Sequence, residues 1–199
     1  ASGFFNNPNL GLPSSNGLMI LLDSKTGVLK SVLLDKGYLT DVRTAIAGAI
    51  AAKHLSNPES SNVGIIGAGI QAKMQLEALL LVRNIKTAYI WSRDSKKTNT
   101  FVKNIKDKIN IKIIACESPE QTVNLSEILI TCTPSKSPII KSEWLKKGLH
   151  ITAMGSDAEM KNELDPKIIK YCDYYIPDSQ SQTSILGELN HAIKAGLVS

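Results

Sequence analysis

Val63-Gly64-Ile65-Ile66-Gly67-Ala68-Gly69-Ile70-Gln71-Ala72 is an apolar run that breaks at one glycine, passes another two residues on, and continues into a helix-forming segment. The pattern is G-x-G-x-x-A between a strand and a helix. Gly67 permits a tight turn, Gly69 lets backbone touch a ligand, and Ala72 keeps helix and strand close. A helix starting there offers free N–H groups and the positive end of its dipole, which suits a pyrophosphate. A tight turn with no ligand can carry the same glycines; the strand before and the helix after are what favour the dinucleotide reading. Ala72, Leu76, Leu79 and Leu80 recur at i, i+4, i+7 and i+8, which gives the helix one apolar face.

Working outward, strands are expected at 62–67, 87–92, 111–115, 127–132, 149–154 and 173–177, and helices at 70–83, 95–108, 119–124, 142–147 and 166–171. Alternating β and α with short connections predicts an α/β fold with a parallel, doubly wound sheet. Ser118 with Gln121 reads as a capping box, and Asp165-Pro166 as an N-cap followed by Pro at the first helical position. Upstream, 17–23 and 28–34 are β-prone runs joined by Ser24-Lys25-Thr26-Gly27, an antiparallel hairpin. A helix is expected over 40–55, with Thr40 as N-cap and Ala45, Ala49 and Ala52 on one side, where another backbone can approach. The polar stretch 56–61 marks a boundary.

The chain has 199 residues, 43% hydrophobic and 21% charged, ordinary for a globular protein. No run approaches the length needed to cross a bilayer, and the opening ASGFFNNPNLG lacks the basic start and apolar core of a signal peptide. The net charge of +5 comes from 20 Lys and 3 Arg, with the lysines spread along the chain. That is a solvated surface rather than a nucleic-acid face. Cys116, Cys132 and Cys172 are far apart and form no metal-ligand spacing, so no metal is expected, and free thiols fit a reducing cytoplasm. The chain starts without Met and ends just after a helical pattern, so both ends are expected to be cut.

Candidate site residues follow from the fold. The second strand of the unit ends Trp91-Ser92-Arg93-Asp94. Ser92 stands where NAD-selective sites carry an acid, and Arg93 could meet a 2′-phosphate, so NADP(H) is favoured over NAD. Asp94 could cap the next helix or reach the ribose. Arg43 is expected in the first turn of helix 40–55, against the dipole, where a substrate carboxylate or a pyrophosphate would explain it; pairing with Asp35 or Asp41 would explain it as well. Thr131, Thr133, Asp157 and Asp178 lie at carboxyl ends of strands, where ligands of open α/β sheets bind. Either Asp could serve as acid or base, or merely close a turn. His54, His150 and His191 have no spaced partner and read as structural or solvated.

LTDVRTAIAGAIAAKHL, VGIIGAGIQAKMQLEAL, IWSRD, TCTPSKSPII, ITAMGSDAEMKNELDP and DSQSQTSILGELNHAI occur in an order and spacing that resemble the ornithine cyclodeaminase/μ-crystallin family over nearly the whole chain. The opening GFFNNPNLGLPSSNGLM and LLDKGYLTDVRT look most like its ectoine-utilisation branch. The resemblance implies a Rossmann domain, 57–178, inserted into a discontinuous α+β domain, 1–56 and 179–199, that binds substrate and forms a homodimer. It implies an NAD(P)-dependent enzyme acting on the α-amino or imino carbon of a small amino acid or cyclic imine, by cyclodeamination or imine reduction. Arg43 would bind the substrate carboxylate and Asp157 would be the catalytic acid/base. Thr44, Gly67, Ala68, Gly69, Ile70, Gln71, Ala72, Ser92, Arg93, Thr131, Cys132 and Thr133 would contact cofactor. The family's substrate-binding Lys and Glu would precede residue 1, so neither is assigned. Rivals remain: a ketimine reductase or alanine-type amino-acid dehydrogenase using the same site, a different Rossmann oxidoreductase, and a non-catalytic, crystallin-like protein that holds NADPH or a small ligand.

Overall fold

A computed structural model describes residues 2–4 and 6–198. Strands β1 (Ser2–Gly3) and β2 (Ser15–Asn16) make a short antiparallel pair, and β3 (Met19–Leu22) and β4 (Leu29–Leu33) form the expected hairpin. Asp23 builds its turn: Oδ1 accepts from the Lys25 and Thr26 amides, and Oδ2 pairs with Lys30 at 2.7 Å. Most of this ribbon faces outward, with Ile20, Leu21, Leu22, Leu29, Val32 and Leu33 all exposed.

Helix α1 (Tyr38–Leu55) leads to β5 (Asn62–Ile66), α2 (Ile70–Leu80), β6 (Thr87–Trp91), α3 (Ser95–Ile105), β7 (Lys112–Ala115), α4 (Pro119–Asn124), β8 (Ile128–Thr131) and β9 (His150–Ala153). The chain closes with α5 (Lys167–Tyr171), α6 (Gln180–Thr183) and α7 (Glu188–Lys194). Strands five to nine form one parallel sheet in the order β7-β6-β5-β8-β9. The first strand of the unit is central, and the chain winds outward on both sides. This is a Rossmann fold.

Period-two alternation sorts the strand side chains between two cores. Val63, Ile65, Ile128 and Ile130 meet Ala72, Leu76 and Leu79 of α2 and Phe101 and Ile105 of α3 on one face. Ile66 and Leu129 meet Val123 of α4 and Ile168 of α5 on the other. Each fully buried Ile or Leu contributes about 1.5–3 kcal/mol. Helix α1 lies on α2 through the predicted stripe: Ala45, Gly48, Ala49 and Ala52 are buried, and Ala45 and Ala49 touch Ala78. Arg83 holds the end of α1, donating to the carbonyls of Ala52 (2.9 Å), Lys53 (2.8 Å) and Ser56 (3.0 Å).

Several expectations change, among them the ends of α2 and α3, which stop at Leu80 and Ile105 rather than at 83 and 108. Helix α1 begins at Tyr38 with Gly37 as N-cap, not at Thr40, because Asp35 supplies the acceptors: its Oδ2 takes the Leu39 amide at 2.7 Å and its carbonyl the Tyr38 amide. Residues 173–177 form no strand; among the described residues β9 bonds no strand besides β8, and β-prone residues without a backbone to pair with stay irregular. Of 142–147, only a 3-10 turn at Ser142–Trp144 forms. Helix α5 starts at Lys167, although Asp165 Oδ1 still accepts the Lys167 amide at 3.0 Å. The Ser118 cap forms, with Gln121 Oε1 reaching back to the Glu117 amide at 2.8 Å instead of that of Ser118.

Candidate functional site

Strand β5 ends where its neighbours diverge, β6 on one side and β8 on the other. Such a switch point opens a crevice beyond the strand ends. Gly67 enters it with φ 135 and donates its amide to Trp91 O at 2.8 Å. A methyl on Gly67 would lie 2.8 Å from Cys132 Sγ and 3.1 Å from its carbonyl oxygen, so the turn requires glycine for folding. Gly69 differs. It is the N-cap of α2 in an extended conformation, and a methyl there would meet no protein atom within 4 Å. Among the described residues nothing demands glycine at 69, and no side chain caps the helix. An open cradle at a bare helix N-terminus fits a pyrophosphate.

Ala72 is fully buried in the core and Ala68 packs against it, while Ile70 is exposed beside the turn. The Gln71 side chain turns away to α1, donating to Asp41 Oδ1 at 3.0 Å, which leaves its backbone amide for the helix start. Gln75 continues the seam by donating to Thr44 O at 3.1 Å, while the Thr44 hydroxyl donates to Thr40 O. Beyond β6, Asp94 is the N-cap of α3, Oδ1 accepting from the Lys96 and Lys97 amides. Ser92 lies 2.6 Å from the Thr98 hydroxyl, and Arg93 is exposed with no ion pair among the described residues.

The far side of the crevice is organised by Glu163, which spacing alone did not single out. It is fully buried. Its Oε1 accepts from the Thr133 amide and hydroxyl, both at 2.7 Å; its Oε2 accepts from the Thr131 hydroxyl at 2.7 Å and the Gly155 amide at 2.9 Å. Burial pushes its carboxyl above the ordinary range even against these four bonds. Burial and the Glu163 charge together push the Cys132 thiol far up, so that side chain is an inert wall under Gly67.

Asp157 follows β9 on this loop. Its carboxylate is exposed, and its Oδ1 is held by the Nζ of Lys161, a side chain only 10% exposed. Lys161 and Glu163 both lie in the G-S-D-x-x-x-K-x-E-L segment, and that was the signal available for them. Behind the loop, Glu188 of α7 accepts from the Glu163 and Leu164 amides, and its carboxyl is pushed up to about 7 by burial.

Arg43 is the sixth residue of α1, not part of its first turn, because the helix starts earlier than expected. The argument from dipole conflict therefore falls. The residue is exposed and pairs with neither Asp35 nor Asp41. Asp178 sits on irregular chain rather than at a strand end. His150 is held at about 4 by burial and the Arg83 charge, His191 bonds Lys161 O, and His54 is exposed, as structural or solvated histidines. Among the described residues no group of side chains could hold a metal, and no helix is long and apolar enough to cross a membrane.

Residues 2–199 match the ornithine cyclodeaminase/mu-crystallin family. An uncharacterised cyclodeaminase of Sinorhizobium fredii is 55% identical over 196 residues, 98% of this chain and 59% of that protein. Among solved structures, the chain is similar to Thermococcus litoralis Δ1-pyrroline-2-carboxylate reductase in complex with NADH and L-proline (TM-score 0.92, 31% identity, covering 99% of this chain and 61% of that one). It is also similar to an archaeal alanine dehydrogenase dimer with bound NAD (TM-score 0.90, 36% identity, covering 99% and 60%). The chain thus spans about three fifths of the length of these relatives.

Proposed function

The chain belongs to the ornithine cyclodeaminase/mu-crystallin family, and from that premise we propose that it binds a nicotinamide dinucleotide over the Gly67–Gly69 turn and acts on the α-amino or imino carbon of a small amino acid. The observation that carries the reading is Gly69, open to solvent at an uncapped helix start, with no protein atom to account for its missing side chain. When bound, the nicotinamide supplies a centre that takes or returns hydride.

The chain's own groups divide the remaining work. Amides at the start of α2 meet the pyrophosphate. Arg93 is unpaired by any carboxylate and Asp94 is committed to capping α3, which supports a 2′-phosphate beyond β6 and hence NADP(H) over NAD. Thr131, Cys132 and Thr133 line the nicotinamide side. Lys161 fixes one oxygen of Asp157, and the exposed carboxylate is left to move a proton at the substrate nitrogen. The exposed guanidinium of Arg43 takes the substrate carboxylate.

Two relatives, one crystallised with L-proline and one an alanine dehydrogenase, support a small amino or imino acid as substrate. In this reading residues 1–56 and 179–199 belong to a second domain that completes the site and pairs two copies. Cyclodeamination returns the hydride within one turnover, whereas imine reduction consumes the reduced cofactor. The test is a panel of diamino acids, small amino acids and cyclic imines with NAD(H) and NADP(H), following reduced-nicotinamide absorbance and ammonia. Turnover lost in Asp157→Asn is the result expected. Failure to bind either dinucleotide, or full turnover in Asp157→Asn, overturns the reading; binding without turnover of any substrate would favour a non-catalytic carrier.

A further inference from the structure

Residues 154–164, the loop that carries Asp157, are fastened along one face of α7. Glu188 accepts from the Glu163 amide at 2.9 Å and the Leu164 amide at 3.2 Å. Three residues on, His191 Nε2 lies 2.7 Å from Lys161 O. Three further on, Lys194 pairs with Glu159 at 2.7 Å. Steps of three keep these side chains on neighbouring positions of the helix surface.

The fastening continues inward. Glu163, whose amide Glu188 holds, spends its own carboxylate on Thr131 at the end of β8, on Thr133 just beyond it and on Gly155 just beyond β9. There is no slack at that end. A methyl on Gly155 would run into Thr133 O and the Glu163 carboxylate. The strand ends meant to face the nicotinamide are thus set by two buried acids in series, and the outer one is delivered by a helix more than twenty residues away in sequence.

We infer that Glu188 and Glu163 form a two-carboxylate relay through which α7 positions the ends of β8 and β9 and the Asp157 loop against the nicotinamide half of the dinucleotide. The inference rests on the cofactor reading above for what the relay positions, while the relay itself stands on the bonds just described. Neither acid touches the reacting atoms, so both are positioning residues. The adenosine half is outside the relay's reach, because Gly67, Gly69 and Ser92 bond to neither acid.

Ionised Glu188 uses one oxygen for each amide. A proton on either oxygen displaces one of them. The groups facing it are the Glu163 carboxylate, the Ser156 hydroxyl and the Tyr175 phenol; burial, and after it the Glu163 charge, push its titration up to about 7. The relay is therefore tight above neutrality and looser below it.

The experiment compares the unmodified polypeptide with Glu188→Gln and with the milder His191→Ala. Without ligand, hydrogen exchange at residues 131–135 and 154–164 should accelerate about tenfold in Glu188→Gln, and less in His191→Ala, with residues 62–72 unchanged. With ligand above neutrality, NADH should bind about tenfold more weakly to Glu188→Gln. ADP-ribose, which lacks the nicotinamide, should bind both alike. NADH affinity of the unmodified chain should fall as pH drops through about 7, and that inflection should vanish in Glu188→Gln. A merely structural Glu188 would weaken both ligands together and leave the pH profile intact; that result overturns the relay, as does unchanged exchange at 131–135 in both variants. Failure of the unmodified chain to bind either ligand would defeat the cofactor reading instead, and the exchange data would still decide the relay.

Discussion

Two glycines two residues apart do different work, and exchanging each for alanine separates folding from binding. At Gly67 an alanine must hold φ 135, which L-residues rarely adopt, and its methyl would press to 2.8 Å from Cys132 Sγ. Backbone strain of about 1–3 kcal/mol and overpacking of about 1–3 kcal/mol sum to about 2–6 kcal/mol, a large part of the roughly 5–15 kcal/mol that holds a domain together. At Gly69 the methyl meets nothing, and φ −106 is open to any residue. The small loss in capping preference and the gain from a stiffer unfolded chain offset each other to within about 0.5 kcal/mol. The methyl would nevertheless occupy the space a pyrophosphate oxygen needs. Loss of that contact, about 1.4–3 kcal/mol, weakens NADH by about ten- to a hundredfold. Urea unfolding and a titration following fluorescence from Trp91, whose carbonyl Gly67 binds, read both quantities on the same samples. If Gly69→Ala binds NADH as the unmodified chain does, the cradle is not a pyrophosphate site. If Gly67→Ala is as stable as the unmodified chain, the turn has been misread.

Glu163→Gln should cost about 1–3 kcal/mol in urea, since each carboxylate oxygen faces a backbone N–H and the amide group must oppose one of them either way round; unchanged stability would refute the bond geometry. Arg83→Ala should lower stability by about 2–3 kcal/mol by stripping the charged cap from the end of α1, and Arg83→Lys should recover under half of it, measured by thermal melting of the helix signal. His150, held at about 4 against an ordinary 6.5, makes acidification through that window favour the unfolded chain by up to about 3 kcal/mol. Glu188, at about 7 against an ordinary 4.5, makes acidification over nearly the same window favour the folded chain, and raised Glu163 adds to it. The two oppose each other, so His150→Gln should be more stable at about pH 5 than at about pH 7.5, and Glu188→Gln less stable; flat profiles in both would sink this account.

The part of the molecule written in local pattern was legible. The G-x-G-x-x-A turn, the alternating strands and the alanine stripe of α1 each follow from neighbours within a few positions, and the structure has them where the sequence suggested. Position along a helix was less secure. Arg43 was assigned to a first turn because Thr40 is a good capping residue, but Asp35 supplies the acceptors, Gly37 becomes the N-cap, and Arg43 moves inward by three positions. Tyr174, Tyr175 and Ile176 suit a strand intrinsically, yet a strand needs a partner, and partners are a property of the whole sheet. The buried acids were invisible for the same reason. Glu163 meets Thr131 across 32 positions and Glu188 meets Glu163 across 25, and no spacing rule relates residues so distant. Only the motif around Asp157 hinted at Lys161 and Glu163, and nothing hinted at Glu188 or at Arg83.

The ribbon of β3 and β4 pairs Ile20 directly with Val32, both largely in water, and neither of its edges bonds a further strand among the described residues. Two strands by themselves are marginal in water, and unprotected edges invite any extended backbone to add on. An extended backbone can therefore add to residues 19–34, remote from the glycine turn. Ile20→Lys combined with Val32→Glu should suppress self-association at high concentration, as seen by light scattering, and leave nucleotide affinity where it was.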